Sequence, residues 1–489
     1  MIDVSRTFQA NEILITGANG FVGKVTLAML LARYPDAARV HVLVRPRRGV
    51  SAQRRFEDEV LASPVFQPFD REDFAKRIVV HEGDAAELGE AAARAMTGVK
   101  LIIHCAGLVE FFAPVDESLR ANVDAVEKVA DLAARIGAKL LHVSTCYVAG
   151  RGNGLVEENE AIEGFYPLRK DRSDTSFDAQ TEIAKLRERI GELTASGRDR
   201  AAQQALTELG RSRAERWGWV NTYTYAKSLG EQTLAARKDI EWAIVRPAIV
   251  ESALEFPFAG WVEGGRTAAP LVLMALGGMS EWPARADLSL EVVPVDQIAG
   301  AMLAVGALLA EGRADKVYQL AGSDRNPFPM RSLIALLASE AKRRGAKVSG
   351  EPKLFEGRIY LQRNRRQKAR VERLERRFQS LSKWLKSKGL PGAAAAAARK
   401  SGQMRQAALQ LRFREQTVEQ YLPFTEQNCY LFEANHIRMA MAELSDEDRK
   451  RLPWTPELID WPSYWRDNEI EGVLRWVQPD AVRDWSFQL

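Results

Sequence analysis

The sequence predicts an α/β fold in which a doubly wound parallel sheet carries a charged helical insertion and is followed by a mostly helical C-terminal domain. Three observations predict it. Over the first 150 residues, short β-branched runs alternate with helical stretches, and the runs are almost continuously apolar, as strands covered on both faces are. The first run leads directly into a glycine-rich turn that opens the first helix. Past residue 325 the alternation stops and helix-forming segments take over.

In chain order, strands are expected at Glu12–Thr16, Arg39–Val44, Arg77–His81, Leu101–Cys105 and Lys139–Ser144, with helices at Phe21–Arg33, Leu88–Met96 and Asp116–Arg135 between them. A sixth strand, Glu241–Val245, returns after a long interruption. That interruption, residues 163–219, is charged and helix-prone and reads as a helical hairpin broken at Ala195-Ser196-Gly197. It fits either a solvated insertion or a lid or interface element beside the active site. We place one domain at residues 1–325 and a second at 326–489, the second opening with a helix at Met330–Arg344.

Composition narrows the function classes. A chain of 489 residues needs two or three domains, and 46% hydrophobic with 27% charged residues is the balance of a globular protein with a large core. The net charge of +4 decides little. Cys105, Cys146 and Cys429 are scattered, and five histidines form no ligand-spaced cluster, so no disulfide framework and no metal site is expected. The N-terminus lacks the apolar core of a signal peptide, and the run Ala268–Gly278 is too short to span a bilayer, so a cytoplasmic location is expected.

The segment "ILITGANGFVGKV" carries Gly17, Gly20 and Gly23 between a strand and a helix. Glycine there lets the backbone turn tightly and approach a pyrophosphate, which the helix N-terminus then holds. This is the context of a Rossmann-type dinucleotide site. At the end of the second strand, "VHVLVRPRRG" has Arg45, with Arg47 or Arg48, where an acid would bind the ribose of NAD. Cations at that position suit a 2′-phosphate, so the expected cofactor is NADPH. Asp84 and Ala85 follow the third strand, near the adenine, and the small residues Cys105, Ala106 and Gly107 follow the fourth. Thr16, Asn19, Phe21, Val22, Asn122, Ser144, Pro247 and Ile249 complete the expected cofactor-binding set.

In "WVNTYTYAKSLGEQTL", Tyr223 and Lys227 stand four apart, on one face of a helix. An ammonium beside a phenol lowers its pKa, and the phenol can donate a proton to a carbonyl oxygen as hydride reaches the carbon. Tyr225 points elsewhere. The partner hydroxyl is expected from "LLHVSTCYVAG", with Thr145 first and Ser144 in reserve. Cys146, four residues beyond His142 on the same strand, offers a rival covalent route; the plainer reading is a small buried hydrophobe.

Taken together, "TGANGFVGK", "HVSTCYV", "YTYAK" and "VRPAIVE" resemble the extended short-chain dehydrogenase/reductase superfamily. Within it, "RPAIVESALEFPFAGWVEG" resembles the fatty acyl-CoA reductases, with Ala248 and Ala259 replacing that branch's usual serine and proline. The tail segments "YLPFTEQNCYLFEANH" and "IDWPSYWRDNEIEGVLRWV" extend the resemblance over nearly the whole chain. It implies hydride transfer from NADPH to a long-chain acyl-CoA or acyl carrier protein thioester. The product is an aldehyde and, with a second NADPH, a primary alcohol. It also implies that Tyr223 is the proton donor, that Lys227 tunes it and holds the nicotinamide ribose, and that Thr145 polarises the carbonyl. A sugar-nucleotide epimerase or dehydratase would need an acid where Arg45 stands and would lack so long a C-terminal domain. A non-catalytic NADPH-binding regulator would commonly have lost the Tyr/Lys pair.

Residues 358–405 hold fifteen Lys/Arg against Glu372 and Glu375. From Val371 the apolar spacing through Leu374, Phe378, Leu381, Trp384 and Leu385 marks an amphipathic helix. Three readings stay open for the stretch 357–390: a solvated face, a surface for CoA phosphates or an acidic carrier protein, or a peripheral contact with anionic membrane. No nucleic-acid motif accompanies it, so no nucleic-acid partner is expected. The apolar run at 267–279 fits an acyl channel and core packing equally well. The oligomeric state is not legible.

Overall fold

A computed structural model of the chain describes residues 1–265, 268–346 and 350–477. A seven-stranded parallel sheet organises it: β1 (Glu12–Thr16), β2 (Val40–Val44), β3 (Ile78–Glu82), β4 (Val99–His104), β5 (Lys139–Val143), β6 (Trp242–Pro247) and β7 (Val317–Leu320). Their spatial order is β7-β6-β5-β4-β1-β2-β3. The order reverses between β1 and β4, where Thr16 lies opposite His104, and a ligand crevice opens at such a switch point beyond the strand ends. The doubly wound sheet expected from the sequence is thus observed, and six strands fall within two residues of their expected bounds. The seventh, β7, was not anticipated, since four residues offer too short a pattern.

Helices cover both faces because side chains alternate along each strand. Helix α1 (Phe21–Arg33) packs against α6 (Val295–Ala310), and a Cβ on Gly306 of α6 would touch Leu101, Ile103 and Leu141. On the other face Ile102 and Leu140 join Val126, Val129 and Ala133 of α2 (Ala125–Ile136), which ends on Gly137 in the left-handed region. The helix expected at Asp116–Arg135 is broken by one π turn at Arg120–Asp124.

The charged insertion is a helical hairpin, α3 (Ala179–Thr194) and α4 (Arg200–Trp217), capped by Asp178 and Asp199. It is more than a solvated appendage. Ile183, Leu186, Leu206 and Ala214 share a core with Trp219, Tyr225 and Leu229, and Tyr225 and Leu229 belong to α5 (Thr222–Ala235). Buried Glu182 accepts hydrogen bonds from both Tyr225 and Arg213, so the hairpin is clamped to α5.

The chain divides into two compact units, but not into two consecutive blocks. One comprises Met1–Glu263, Glu291–Pro327 and Tyr430–Gly472; the other comprises Gly264–Leu290, Phe328–Cys429 and the residues from Val473. The expected boundary at 325 is close to the one at Pro327, yet 430–472 returns to the α/β unit. It does so because its polar side chains meet backbone groups there. The imidazole of His436 bonds the Val317 carbonyl at 2.7 Å, Trp461 Nε1 donates to the Asn326 carbonyl at 2.9 Å, and Asn468 donates to the Ala253 and Leu254 carbonyls. The second unit holds α7 (Met330–Arg343), which packs on a short helix formed by the apolar run at Ala269–Leu276, and two long helices, α8 (Gly357–Ser387) and α9 (Pro391–Leu422).

Glu469 and Glu251, both fully buried in the α/β unit, share a hydrogen bond, and Glu469 also accepts the Ser252 N–H at 3.0 Å. Burial holds the Glu469 carboxyl above the usual carboxylate range, because the charged form loses its water there, and the hydrogen bonds from Ser252 and Glu251 only partly offset this. A carboxyl raised in the folded state contributes fully below its unfolded pKa, and that contribution is lost as pH rises through the folded value. The thermal midpoint is therefore expected to fall as pH rises above the ordinary carboxylate range. Glu469→Gln, which keeps the hydrogen bond without the charge, is expected to flatten that slope; an unchanged slope in a calorimetric pH series refutes the assignment.

Candidate functional site

The site is built at the C-terminal ends of β1, β4 and β5, with α5 alongside. Gly17 has φ of +77°, and a Cβ there would lie 2.6 Å from Ala106 N, so only glycine lets the loop lie on the end of β4. A Cβ on Gly23 would lie 2.2 Å from the Gly17 carbonyl oxygen. Gly20 donates to that oxygen at 2.9 Å, and α1 starts at Phe21 and Val22 with no side-chain cap, leaving its first N–H groups directed at the crevice. Thr16 Oγ1 ties the two strands together, 2.7 Å from His104 Nδ1 and accepting Ala106 N–H at 3.3 Å.

The other sequence-expected residues divide into those the fold gathers at this crevice and those that point into local networks. Gly107 belongs to the first group: a Cβ there would lie 2.8 Å from Asn122 Oδ1 and 3.8 Å from Lys227 Nζ. Buried Asn122, on the π turn, brackets Leu108, accepting its N–H at 3.2 Å and donating to its carbonyl at 3.0 Å. Such turns interrupt helices most often at functional sites. Pro247 ends β6 and Ile249 opens the next short strand, where its N–H meets the Glu291 carbonyl at 2.9 Å. Asn19 instead donates to Glu59 at 3.0 Å. Exposed Arg45 lies 3.6 Å from Asp84, which also pairs with Arg120 at 2.6 Å and caps Ala86, while Ala85 is buried. Arg47 meets Glu59 at 3.0 Å, and Arg48 is exposed.

The Tyr/Lys pair sits at the end of β5. Tyr223 shares a hydrogen bond with Thr145, whose hydroxyl also accepts the Tyr147 N–H at 3.3 Å, and it stacks on Phe111 with ring centroids 6.2 Å apart. Ser144 Oγ is buried with no hydrogen-bond partner among the described residues. Lys227 Nζ donates to the Val143 carbonyl at 2.6 Å and lies 3.5 Å from His142 Nε2. Burial brings this lysine down to about 8, opposed by the nearby Glu231 carboxylate. The expected lowering of the Tyr223 phenol is not what dominates. Burial pushes it up, against the Thr145 hydrogen bond, because the Lys227 ammonium is directed at the strand end. The phenol is therefore fully protonated at neutral pH, the state a proton donor needs.

The residues for a covalent route are not assembled. Cys146 Sγ donates to the Arg246 carbonyl at 2.8 Å, burial raises its thiol well above the usual range, and His142 faces Lys227 instead. Sequence reasoning missed the support under the pair. Arg246 of β6 makes two hydrogen bonds, of 2.9 and 2.6 Å, to Glu231 of α5, and both residues are buried. The available signal was a lone charge, Arg246, in the otherwise apolar strand segment "WAIVRP".

The cradle fits a dinucleotide, because glycine at 17 and 23 lets the loop close against the strand end and the start of α1 carries no side-chain cap. Comparison with known proteins agrees. Residues 15–302 match the NAD-binding family described as male sterility protein. The chain belongs to that family. Among relatives of this male sterility family member, the probable fatty acyl-CoA reductase 4 of Arabidopsis thaliana is 29% identical over 347 residues, covering 67% of this chain and 70% of that protein. The alcohol-forming fatty acyl-CoA reductase of Simmondsia chinensis is 28% identical over 344 residues, covering 66% and 68%. The resemblance to fatty acyl-CoA reductases drawn from the motifs is borne out. A solved reductase domain of a non-ribosomal peptide synthetase from Mycobacterium tuberculosis shares the fold, with a TM-score of 0.55 over 98% of this chain and 95% of that one at 17% identity.

Removing one partner of a buried ion pair leaves the other charge uncompensated, at a cost of about 3–5 kcal/mol. Glu231→Ala is expected to lower stability by about that amount in urea unfolding. The double change Glu231→Met with Arg246→Met is expected to recover most of it. Equal loss in both variants would mean that the pair does not act as a unit.

Proposed function

We propose that this protein reduces long-chain fatty acyl thioesters, carried on CoA or on an acyl carrier protein, with NADPH. The first product is a fatty aldehyde, and the second reduction yields the primary alcohol. The observation that carries this reading is the meeting of the Tyr223–Thr145 hydroxyl pair and Lys227 with the glycine-lined crevice at Gly17 and Gly107, in a chain whose relatives are fatty acyl-CoA reductases.

Gly17, Gly20 and Gly23 with the start of α1 would hold the pyrophosphate, and Asn122, Ser144 and Lys227 would surround the nicotinamide ribose. Bound in reduced form, the cofactor supplies a hydride. Thr145 and Tyr223 take the thioester oxygen between them, and as its carbon gains hydride the oxygen takes the phenol proton, giving a thiohemiacetal. Its collapse breaks the C–S bond, releases the thiol and leaves the aldehyde, which the same hydroxyl pair can orient and protonate in a second round. Lys227, cationic below about pH 8, stabilises negative charge on Tyr223 after each transfer. The unit containing α7, α8 and α9 is the acyl-substrate domain in this reading. Its support is that the resemblance continues through the tail and that the apolar helix Ala269–Leu276 lies in this unit.

Palmitoyl-CoA is expected to drive NADPH oxidation, with hexadecanal and hexadecanol as products by gas chromatography. Tyr223→Phe is expected to lower turnover by about 10²–10⁴-fold while NADPH binding, read by fluorescence, persists. No oxidation with any acyl thioester or aldehyde refutes the function; full turnover in the variant refutes the role. Preference for NADPH rests on the cations at the end of β2. Arg45→Asp with Arg48→Asp is expected to raise KM for NADPH at least about tenfold while leaving KM for NADH nearly unchanged. Equal shifts for both cofactors contradict a 2′-phosphate contact.

A further inference from the structure

Helices α8 and α9 form an antiparallel hairpin whose register is fixed by three hydrogen bonds. Asn364 Nδ2 donates to the Leu411 carbonyl at 2.9 Å, Ser401 Oγ to the Glu375 carbonyl at 3.4 Å, and Ser382 Oγ to the Ala394 carbonyl at 2.8 Å. The turn at Lys388–Leu390 is therefore its far end, and Gly389 there has φ of +73°. Charge is partitioned along this hairpin. Near the base, cations are matched by acids: Arg365 and Lys368 pair with Glu415, Arg365 also with Glu419, and Arg363 with Glu281. Between Glu375 and Glu415 the chain has no acidic residue and ten Lys/Arg. Of the cations beyond Glu375, Lys383, Lys386, Lys388, Arg399 and Lys400 are exposed, and none has a carboxylate within 4.0 Å among the described residues.

The same end exposes apolar side chains that the hairpin seam does not need. Ala394 and Ala397 are buried against α8, whereas Leu381, Trp384 and Leu390 are 42%, 55% and 52% exposed. A solvated basic face does not call for an exposed tryptophan and two leucines at its end. An acidic protein or a CoA phosphate accounts for the lysines and leaves these three unexplained. An anionic bilayer accounts for both, since lysines meet headgroup phosphates while tryptophan and leucine enter the interface.

We propose that the tip of this hairpin, residues 376–400, docks on the surface of membranes containing anionic phospholipid. The contact is peripheral: no helix among the described residues is long and apolar enough to cross a membrane. The inference deepens the acyl-reductase reading, because long-chain acyl thioesters partition into bilayers, but its observations come from the hairpin alone.

The full chain is mixed, without cofactor or substrate, with sedimentable vesicles of phosphatidylcholine, or of phosphatidylcholine with about one third phosphatidylglycerol. It is expected to sediment with the second and not the first, and to be released by about 0.5 M salt. Lys383→Glu with Lys386→Glu and Lys388→Glu is expected to cut binding at least about tenfold. Leu381→Ser with Trp384→Ser is expected to weaken it severalfold at equal charge. Circular dichroism and NADPH binding are expected to be unchanged in both, and because the vesicle assay contains no substrate, failure of this contact is distinguishable from failure of the reductase reading. Absence of wild-type binding to anionic vesicles, or equal binding by the charge-reversed variant, overturns the proposal. So does a charge reversal that spares vesicle binding yet selectively loses turnover of acyl carrier protein thioesters, which would assign the tip to an acidic protein.

Discussion

Helix α5, which carries Tyr223 and Lys227, is held to the sheet by one buried ion pair, and the placement of both side chains depends on it. Glu231 lies one turn beyond Lys227, so the pair with Arg246 fixes both the height and the rotation of α5 over β6. Two charges out of water are tolerated only when geometry and hydrogen bonding are good, and the paired contacts of 2.9 and 2.6 Å meet that requirement. The same carboxylate helps to keep Lys227 cationic against its own burial. Gly230 completes the placement: a Cβ there would lie 2.1 Å from the Asn122 carbonyl oxygen, so α5 can approach the π turn only because position 230 is glycine. From its other side the insertion grips α5 through Glu182 and Tyr225. Tyr225 is thus a structural partner of the catalytic helix, pointing away from the chemistry as its spacing from Lys227 requires.

How much of this was legible in the sequence follows from the range of the interactions involved. Buried parallel strands announce themselves as apolar runs, and a glycine loop between strand and helix carries its reason locally, so β1 to β6 and the nucleotide cradle could be read directly. The Tyr223–Lys227 pair was legible for the same reason, since four residues on a helix fix a shared face. Two features were not. The return of residues 430–472 to the α/β unit depends on partners more than 100 residues away, such as His436 with Val317 and Trp461 with Asn326. The protonation of Tyr223 depends on burial and on where the Lys227 ammonium is directed, neither of which a spacing rule contains.

Burial shapes the crevice more than any single charge does. His104 and His142 stack with centroids 5.3 Å apart beneath Lys227, and burial keeps both imidazoles neutral, His104 down to about 3. It also pushes the Cys105 thiol up to about 11, with Lys227 pulling the other way. Among the described residues packed around Tyr223, positive charge at neutral pH therefore resides on Lys227. A neutral His142 close to Lys227 Nζ can accept from it without adding a second charge.

That arrangement fits the roles proposed for each group. A phenol raised by burial makes a poor resident anion, so in the proposed reaction Tyr223 gives up its proton as an oxyanion develops, and its hydrogen-bond partner Thr145 would share that oxygen. In the proposed reaction the Lys227 ammonium, held on the Val143 carbonyl, is the positive charge available once a phenolate forms, in a dry environment where a single charge has more effect than in water. A cysteine nucleophile would require the opposite electrostatics, a thiolate favoured by a nearby cation, and Cys146 instead donates its hydrogen to a backbone carbonyl. The division of labour proposed for Tyr223, Thr145 and Lys227 thus rests on where the fold excludes water and where it leaves one positive charge.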